Sequence, residues 1–342
     1  MRVVVLNTVA PFVRGGAELL AESLVERLTA AGHEAALLRV PFAWHPLERV
    51  YDAMLACGLL ALPRADRVIA LKFPAYLVPC PDKTIWLLHQ FRQVYDLWGP
   101  EIAADPAATG LRAAIKAADE ACFDGARRML CNSPVTRDRL ACHNGRRADV
   151  LPPPLNDPEL FQPGPHGDYL FAGGRINAAK RQHLLVEAMR HVGSGLRLVV
   201  AGPPDTPADG ERLVDLVARH RLGDRVRLEL GFVPRARIAE LVRGALACAY
   251  LPIDEDSFGY VAMEACEAAK ALLSAPDAGG VLGLVRDGET GHVVSADPEA
   301  LADVLDRLWT DRATSIAQGR ASRALWRAQG IDWHHTIETL LA

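Results

Sequence analysis

The sequence predicts an α/β protein built from two doubly wound, parallel-sheet domains, and three observations predict it. Apolar runs of strand length alternate with longer segments rich in helix formers along the chain. Pro152-Pro153-Pro154 interrupts the alternation near the middle, and three consecutive prolines fit neither a helix nor a central strand. Beyond them the same pattern restarts at Tyr169-Leu170-Phe171-Ala172.

Val3 to Leu6 is continuously apolar, the pattern of a strand buried on both faces. A loop with Arg14-Gly15-Gly16 follows, and Ala17, Leu20, Ala21, Leu24 and Leu28 then recur at helical spacing. Gly32 stops that helix, and Ala35 to Leu38 reads as the next strand, completing a βαβ unit. The loop lacks G-x-G-x-x-G, so a dinucleotide fingerprint is absent, while two adjacent glycines allow a backbone turn close to an anion. Val68–Leu71, Ile85–Leu88 and Met129–Asn132 are the further strands of the first half. His89 directly follows one of them, at the strand end where such sheets bind ligands.

Past the prolines, Tyr169–Ala172 runs into Gly173-Gly174-Arg175, and Ala178 to Met189 reads as a helix with Lys180 and Arg181 at its start. Cations there oppose the helix macrodipole, which a bound diphosphate would explain. Arg197–Ala201 and Val226–Leu230 are strands, the second leading into Gly231-Phe232-Val233, and Ala271–Ser274 is another. Asp287-Gly288 and Thr290-Gly291 read as a hairpin-like connection. The expected division is a first domain over 1–151, a linker over 152–166, a second domain over 167–325 and a closing helical segment over 326–342.

The chain has 342 residues, half of them apolar, with a formal net charge of -4. Residues 1–150 carry about +2 and the remainder about −6. Neither half has the basic balance of a nucleic-acid binder. The seven cysteines are odd in number and form no C-x-x-C pair, so they read as reduced core residues of a cytoplasmic protein. The apolar stretches at 2–7 and 53–62 are too short for a signal peptide core and a membrane span respectively.

The stretch with the most chemistry is Asp254 to Glu267. The short apolar run Leu246–Leu251 ends at Pro252, three acids follow, and helix formers continue through Ala269. Ser257 or Asp256 is the expected N-cap, and Gly259 lets backbone approach a ligand. Glu264 lies one turn after Tyr260, so the two share a face, with Asp256 just ahead of the turn. Carboxylates accept hydrogen bonds from sugar hydroxyls, and the N–H groups of a first turn suit phosphate oxygens.

Together these residues resemble the retaining glycosyltransferases of family 4, which have the GT-B fold. The resemblance spans essentially the whole chain. It rests on Gly15-Gly16-Ala17-Glu18 after the first strand, Gly174-Arg175 with Lys180, Gly231-Phe232-Val233, Asp256 through Glu264 in place of a Glu-x7-Glu signature, Gly279-Gly280, and Asp287–Gly291. Three departures are visible. Asp256 replaces the usual Glu, with Glu255 as a substitute if the turn is rotated; Gly283 stands where Glu is frequent, and Ala271 where Pro is frequent.

The resemblance implies two Rossmann-like domains facing a central cleft, with Trp333 and Ile337–Leu341 in a closing helix that crosses back to the first domain. It implies transfer of a hexosyl-type sugar from a UDP- or GDP-sugar to a glycan, lipid-linked or small-molecule acceptor. A nucleotide-sugar epimerase and a non-catalytic sugar-nucleotide-binding subunit are the alternatives. Glu264 would bind the donor ribose, Arg175 and Lys180 the diphosphate, and Asp256 the transferred sugar. Gly15, Gly16, Ser257, Phe258, Gly259, Tyr260 and Val261 would line the phosphates and sugar, Gly231, Phe232 and Val233 the base. His89 would position sugar or acceptor. With Arg, Lys and a helix N-terminus on the diphosphate, neither a metal nor another cofactor is expected. No nucleic-acid partner is expected, and weak peripheral association with the inner face of a membrane is left open.

Overall fold

The computed structural model describes residues 1–11 and 15–342; Arg14 of the expected glycine loop lies outside them. The chain divides into two compact units, residues 1–156 with 331–342, and residues 157–330.

The first unit runs β1 (Arg2–Val9), α1 (Gly16–Ala30), β2 (Glu34–Pro41), α2 (Glu48–Leu59), β3 (Arg67–Lys72), β4 (Lys83–His89), α3 (Pro100–Ala103), α4 (Pro106–Asp124), β5 (Arg128–Cys131), α5 (Pro134–Asn144) and β6 (Asp149–Val150). Its six strands are parallel in the order β2-β1-β3-β4-β5-β6. The direction of winding reverses between β1 and β3, so the crevice for a ligand opens at the carboxyl ends of those two strands. Gly15 and Gly16 stand there, where β1 hands over to α1. The apolar face of α1 packs Leu20, Leu24 and Leu28 on Val3, Val5, Ile69 and Trp86.

The second unit runs β7 (Tyr169–Gly173), α6 (Gln182–Ala188), β8 (Arg197–Gly202), α7 (Pro207–Arg219), β9 (Val226–Leu230), α8 (Arg235–Gly244), β10 (Ala247–Ala249), α9 (Tyr260–Glu267), β11 (Ala271–Ser274), β12 (Gly291–Val293), α10 (Pro298–Thr310) and α11 (Arg312–Ala328). The sheet order β12-β11-β10-β7-β8-β9 is the dinucleotide-fold order of six parallel strands, reversing between β7 and β10. That reversal gathers the loops after Gly173 and Ala249 at one edge. The core beneath is aliphatic, with Leu170, Val186, Leu198, Leu246 and Leu305 all essentially inaccessible.

The last helix, α12 (Trp333–Leu341), belongs to the first unit. Trp333, Ile337 and Leu340 join the α1-side core, and the Thr84 hydroxyl donates to the Leu340 carbonyl at 3.2 Å. Arg67 donates to the Leu341 carbonyl and Arg128 to that of Thr339. No helix among the described residues is long and apolar enough to cross a membrane.

Three local expectations are corrected. The helix expected over Ala178–Met189 begins only at Gln182, because Arg181 takes left-handed angles (φ 58°, ψ 25°) and Ala178–Lys180 form a turn. The cap of α9 is Gly259 (φ 76°) in place of Ser257 or Asp256, and the helix ends at Glu267, short of Ala269. Asp287–Gly291 is a tight turn that feeds β12 parallel to β11, not a hairpin: the Gly288 N–H meets the Gly291 carbonyl, and the Asp287 carboxylate takes the Val293 N–H at 3.0 Å.

One acid is buried inside the first unit. Asp119 on α4 accepts the hydroxyls of Tyr76 at 2.9 Å and Tyr95 at 2.7 Å, and burial pushes its carboxyl up to about 7. A carboxyl pKa raised by folding contributes stability that is fully present below its unfolded value near 4 and lost as pH rises through about 7. Urea unfolding of the first unit is therefore expected to show falling stability between about pH 4 and 7, by up to about 4 kcal/mol, because each pH unit between the two values is worth about 1.36 kcal/mol. Asp119→Asn is expected to flatten that slope; an unchanged slope would acquit Asp119.

Candidate functional site

The switch point of the second sheet assembles most of the residues singled out by sequence. Gly173 and Gly174 end β7, and Gly174 has φ +101°, with Val261 of α9 3.1 Å from where a Cβ would stand. Gly202, at the end of β8, presses on the Gly174 carbonyl so closely that a Cβ there would overlap it. The Gly231 N–H donates to the Gly202 carbonyl at 3.0 Å, so three glycine turns interlock along the edge. The chain needs glycine here because backbone meets backbone and the φ angles are positive.

Arg175 emerges from this edge and pairs with Asp205 at 3.3 Å, while Asn177 donates to the same carboxylate at 2.8 Å. Lys180 forms an ion pair with Glu255, and its Nζ also donates to the Tyr250 hydroxyl at 2.9 Å, lying 5.2 Å over that ring. Tyr250 in turn donates to Glu255 at 2.8 Å. Burial pushes the Glu255 carboxyl up, but Lys180, the Tyr250 hydroxyl and Arg175 outweigh it and hold the carboxyl below its ordinary range. The acid that meets Lys180 is thus Glu255, the neighbour of the signature position Asp256. Arg181 serves the fold itself, donating to the carbonyls of Leu251 and Pro252 and pairing with Asp277 at 2.7 Å. Both cations ahead of α6 therefore have partners within the protein, and the dipole of that helix does not call for a diphosphate.

The acidic loop is shaped by glycines on its far side. A Cβ on Gly280 would come within 2.6 Å of the Ser257 carbonyl, and one on Gly283 within 2.6 Å of the Phe258 ring. Phe258 fills the space that a larger residue at 283 would take, and its other edge meets Trp326 of α11 at 6.4 Å between centroids. The departure at Gly283 is therefore a packing adjustment.

Glu264 projects from the buried α9 and is 4% exposed. Its Oε1 accepts from the Arg235 guanidinium at 2.5 Å, and Arg235 also forks onto Asp157, at 3.0 and 2.6 Å. Burial raises the Glu264 carboxyl above its ordinary value, and Arg235 opposes the rise without cancelling it. Sequence reasoning missed Arg235. Pro234 followed by Ile238, Leu241 and Val242 at helical spacing marks α8, and a cation in its first turn was the available signal.

Phe232 stands 81% exposed beside Gly231 (φ +111°), with Val233 following. Ser257, Tyr260 and Val261 are half-buried around the start of α9, and Phe258 is buried.

Gly15, Gly16 and His89 belong to the first unit. The Gly15 N–H donates to the Glu18 carboxylate at 2.9 Å, and Glu18 pairs with Lys72 at the end of β3 at 3.0 Å. Burial pushes Glu18 up, but Lys72 and the backbone donors prevail and its carboxyl lies below the ordinary range. His89 Nδ1 lies 2.7 Å from the Gln90 carbonyl, which turns the ring about the end of β4. Among the described residues no three His, Cys, Asp or Glu side chains are grouped to hold a metal ion.

Residues 162–325 match the family model described as glycosyl transferases group 1. A D-inositol 3-phosphate glycosyltransferase of Nocardia farcinica is 34% identical over 237 residues, covering 63% of this chain and 51% of the relative. The corresponding enzyme of Actinosynnema mirum is 33% identical, covering 63% and 56%. The chain thus spans about half the length of the curated relatives it matches. Among solved structures, sucrose-phosphate synthase from Thermosynechococcus elongatus superposes with a TM-score of 0.78 at 20% identity, over 99% of this chain and 97% of that one. Anabaena HepE in complex with UDP-glucose gives 0.71 at 17% identity over 99% and 98%. At these identities the likeness establishes the two-unit, Rossmann-like GT-B fold.

Proposed function

We propose that the chain, whose residues 162–325 match the family model of the glycosyl transferases group 1, is a retaining, metal-independent glycosyltransferase using a UDP- or GDP-sugar. The observation that carries the reading is the second switch point. Within the family segment, one sheet edge holds Gly174-Arg175, Lys180, Glu255, Asp256 and the start of α9, with Glu264 inside that helix.

In this reading the donor diphosphate lies against the first turn of α9, whose N–H groups carry partial positive charge. Arg175 and Lys180 add full charges aimed at the oxygen on which charge develops as the glycosidic bond breaks. Asp205 and Glu255 hold those cations in place before the donor arrives. The bond from C1 to the diphosphate breaks and that from C1 to the acceptor oxygen forms on the same face. The acceptor proton passes to the departing phosphate, so no side chain is assigned as general base. Glu264 accepts from the donor ribose, and Asp256 accepts from hydroxyls of the transferred sugar. Gly231-Phe232-Val233 meets the base.

The acceptor is a glycan, a lipid-linked sugar or a small molecule. The curated relatives are named for D-inositol 3-phosphate, which favours a small phosphorylated polyol as the first acceptor to try. The test is nucleotide release from UDP- and GDP-sugars with that polyol, with and without EDTA. Turnover that survives EDTA is expected, and Glu264→Gln is expected to weaken nucleotide binding about 10- to 100-fold with the fold intact. No binding of any nucleotide sugar by the folded protein would defeat the reading.

A further inference from the structure

Arg235 sits in the first turn of α8, where a cation is disfavoured by the helix dipole. Its position is explained by what it holds. One guanidinium nitrogen reaches Glu264 Oε1 at 2.5 Å; the other donors fork onto Asp157 at 3.0 and 2.6 Å, and the plane lies 4.8 Å from the Phe161 ring centroid. The guanidinium is therefore clamped on both edges and one face. Glu264, in contrast, is bound on one side only: no donor among the described residues meets its Oε2.

We propose that Arg235 is a positioning residue that fixes the Glu264 carboxylate and presents Oε2 to the ribose hydroxyls of the nucleotide donor, with Asp157 and Phe161 fixing Arg235 in turn. The inference rests on the donor-site reading above and adds to it a residue outside the signature. The physical need is clear from burial. An acid this enclosed drifts towards its neutral form, and a neutral carboxyl that donates its own proton is a poorer acceptor for a diol. The charged and polar groups that face Glu264 are Arg235 on α8, Asp157 ahead of β7, Cys248 on β10 and Tyr250 beyond it. Arg235 is the cation among them. Lysine would supply charge at one point without the fork that spans Glu264 and Asp157.

The experiment measures UDP and GDP affinity by calorimetry between pH 5 and 8, for the wild type, Arg235→Met, Arg235→Lys, Glu264→Gln and the Arg235→Met, Glu264→Gln double variant. The same titrations are repeated with 2′,3′-dideoxy-UDP, which lacks the hydroxyls in question. Arg235→Met is expected to weaken binding of the hydroxylated nucleotide about 30-fold at pH 7 and to move the acid limb of its pH profile upward. The loss is expected to vanish with the dideoxy nucleotide and in the Glu264→Gln background, where there is nothing left to position. A general packing defect would weaken both nucleotides equally. Should Arg235→Met not fold, Arg235→Lys carries the test, with about a 5- to 10-fold loss and the same hydroxyl dependence. Wild-type affinity and pH profile in the folded variants, or equal losses for both nucleotides, would overturn the positioning role while leaving the donor site standing. A wild type that binds no nucleotide would overturn both.

Discussion

Lys180→Met is expected to lower turnover about 10²- to 10³-fold, the scale of removing one preorganised charge from a leaving group. Two consequences of that change separate cleanly. Lys180 is both the cation proposed for the diphosphate and the partner of the half-buried Glu255. Removing it leaves a carboxylate with the Tyr250 hydroxyl but no adjacent ammonium, at a cost of about 2 kcal/mol in stability. Glu255 now has its carboxyl held low, which contributes stability above the ordinary carboxylate range that is lost as pH falls through the depressed value. The variant is expected to lose that contribution. Adding Glu255→Gln to Lys180→Met is expected to restore the melting temperature and leave turnover low. If turnover recovered together with stability, Lys180 would be a structural partner alone.

The second large effect is expected from one methyl group. Gly202→Ala would drive a Cβ into the Gly174 carbonyl, at a residue with φ +149°. Gly174 cannot retreat far, because Val261 of α9 lies against it, and the Gly202 carbonyl also holds the Gly231 turn. Strain and overlap together are expected to cost about 4 kcal/mol and about 10 °C in Tm for a unit of this size. Nucleotide affinity is expected to fall with it, since Arg175 leaves the same turn. Gly223→Ala is the control: nothing lies within 4 Å of its Cβ position, so stability there is expected to change by less than about 1 kcal/mol. Equal melting temperatures for the two variants would refute the interlocked edge.

The strands were legible because a buried parallel strand has to be apolar on both faces. Val3–Leu6, Val68–Leu71 and Arg197–Ala201 all fall inside observed strands. Helix starts were less legible, since Arg181 and Gly259 take positive φ for reasons that lie in residues far along the chain. Arg181 adopts its angles while bound to Leu251, Pro252 and Asp277. The same limit hid Arg235, whose partners Asp157 and Glu264 stand 78 and 29 residues away. It also hid the partner of Lys180: with Asp254 at φ 49°, the acidic loop brings Glu255 to the ammonium. Gly283 reads in sequence as the loss of a family residue, and only the fold puts the Phe258 ring in the space it vacates.

The return of α12 to the first unit has a consequence for how the protein is made. The first unit holds Trp333, Ile337 and Leu340 in its core and satisfies Arg67 and Arg128 with carbonyls of the same helix. Residues 157–330 are synthesised in between. At roughly 5–20 residues per second the ribosome spends on the order of ten to thirty seconds on them. Throughout that interval the emerging first unit lacks the apolar side chains that α12 adds to its α1-side core. The second unit, encoded later, is the first to have all of its elements available, and the unit begun first is the last to close.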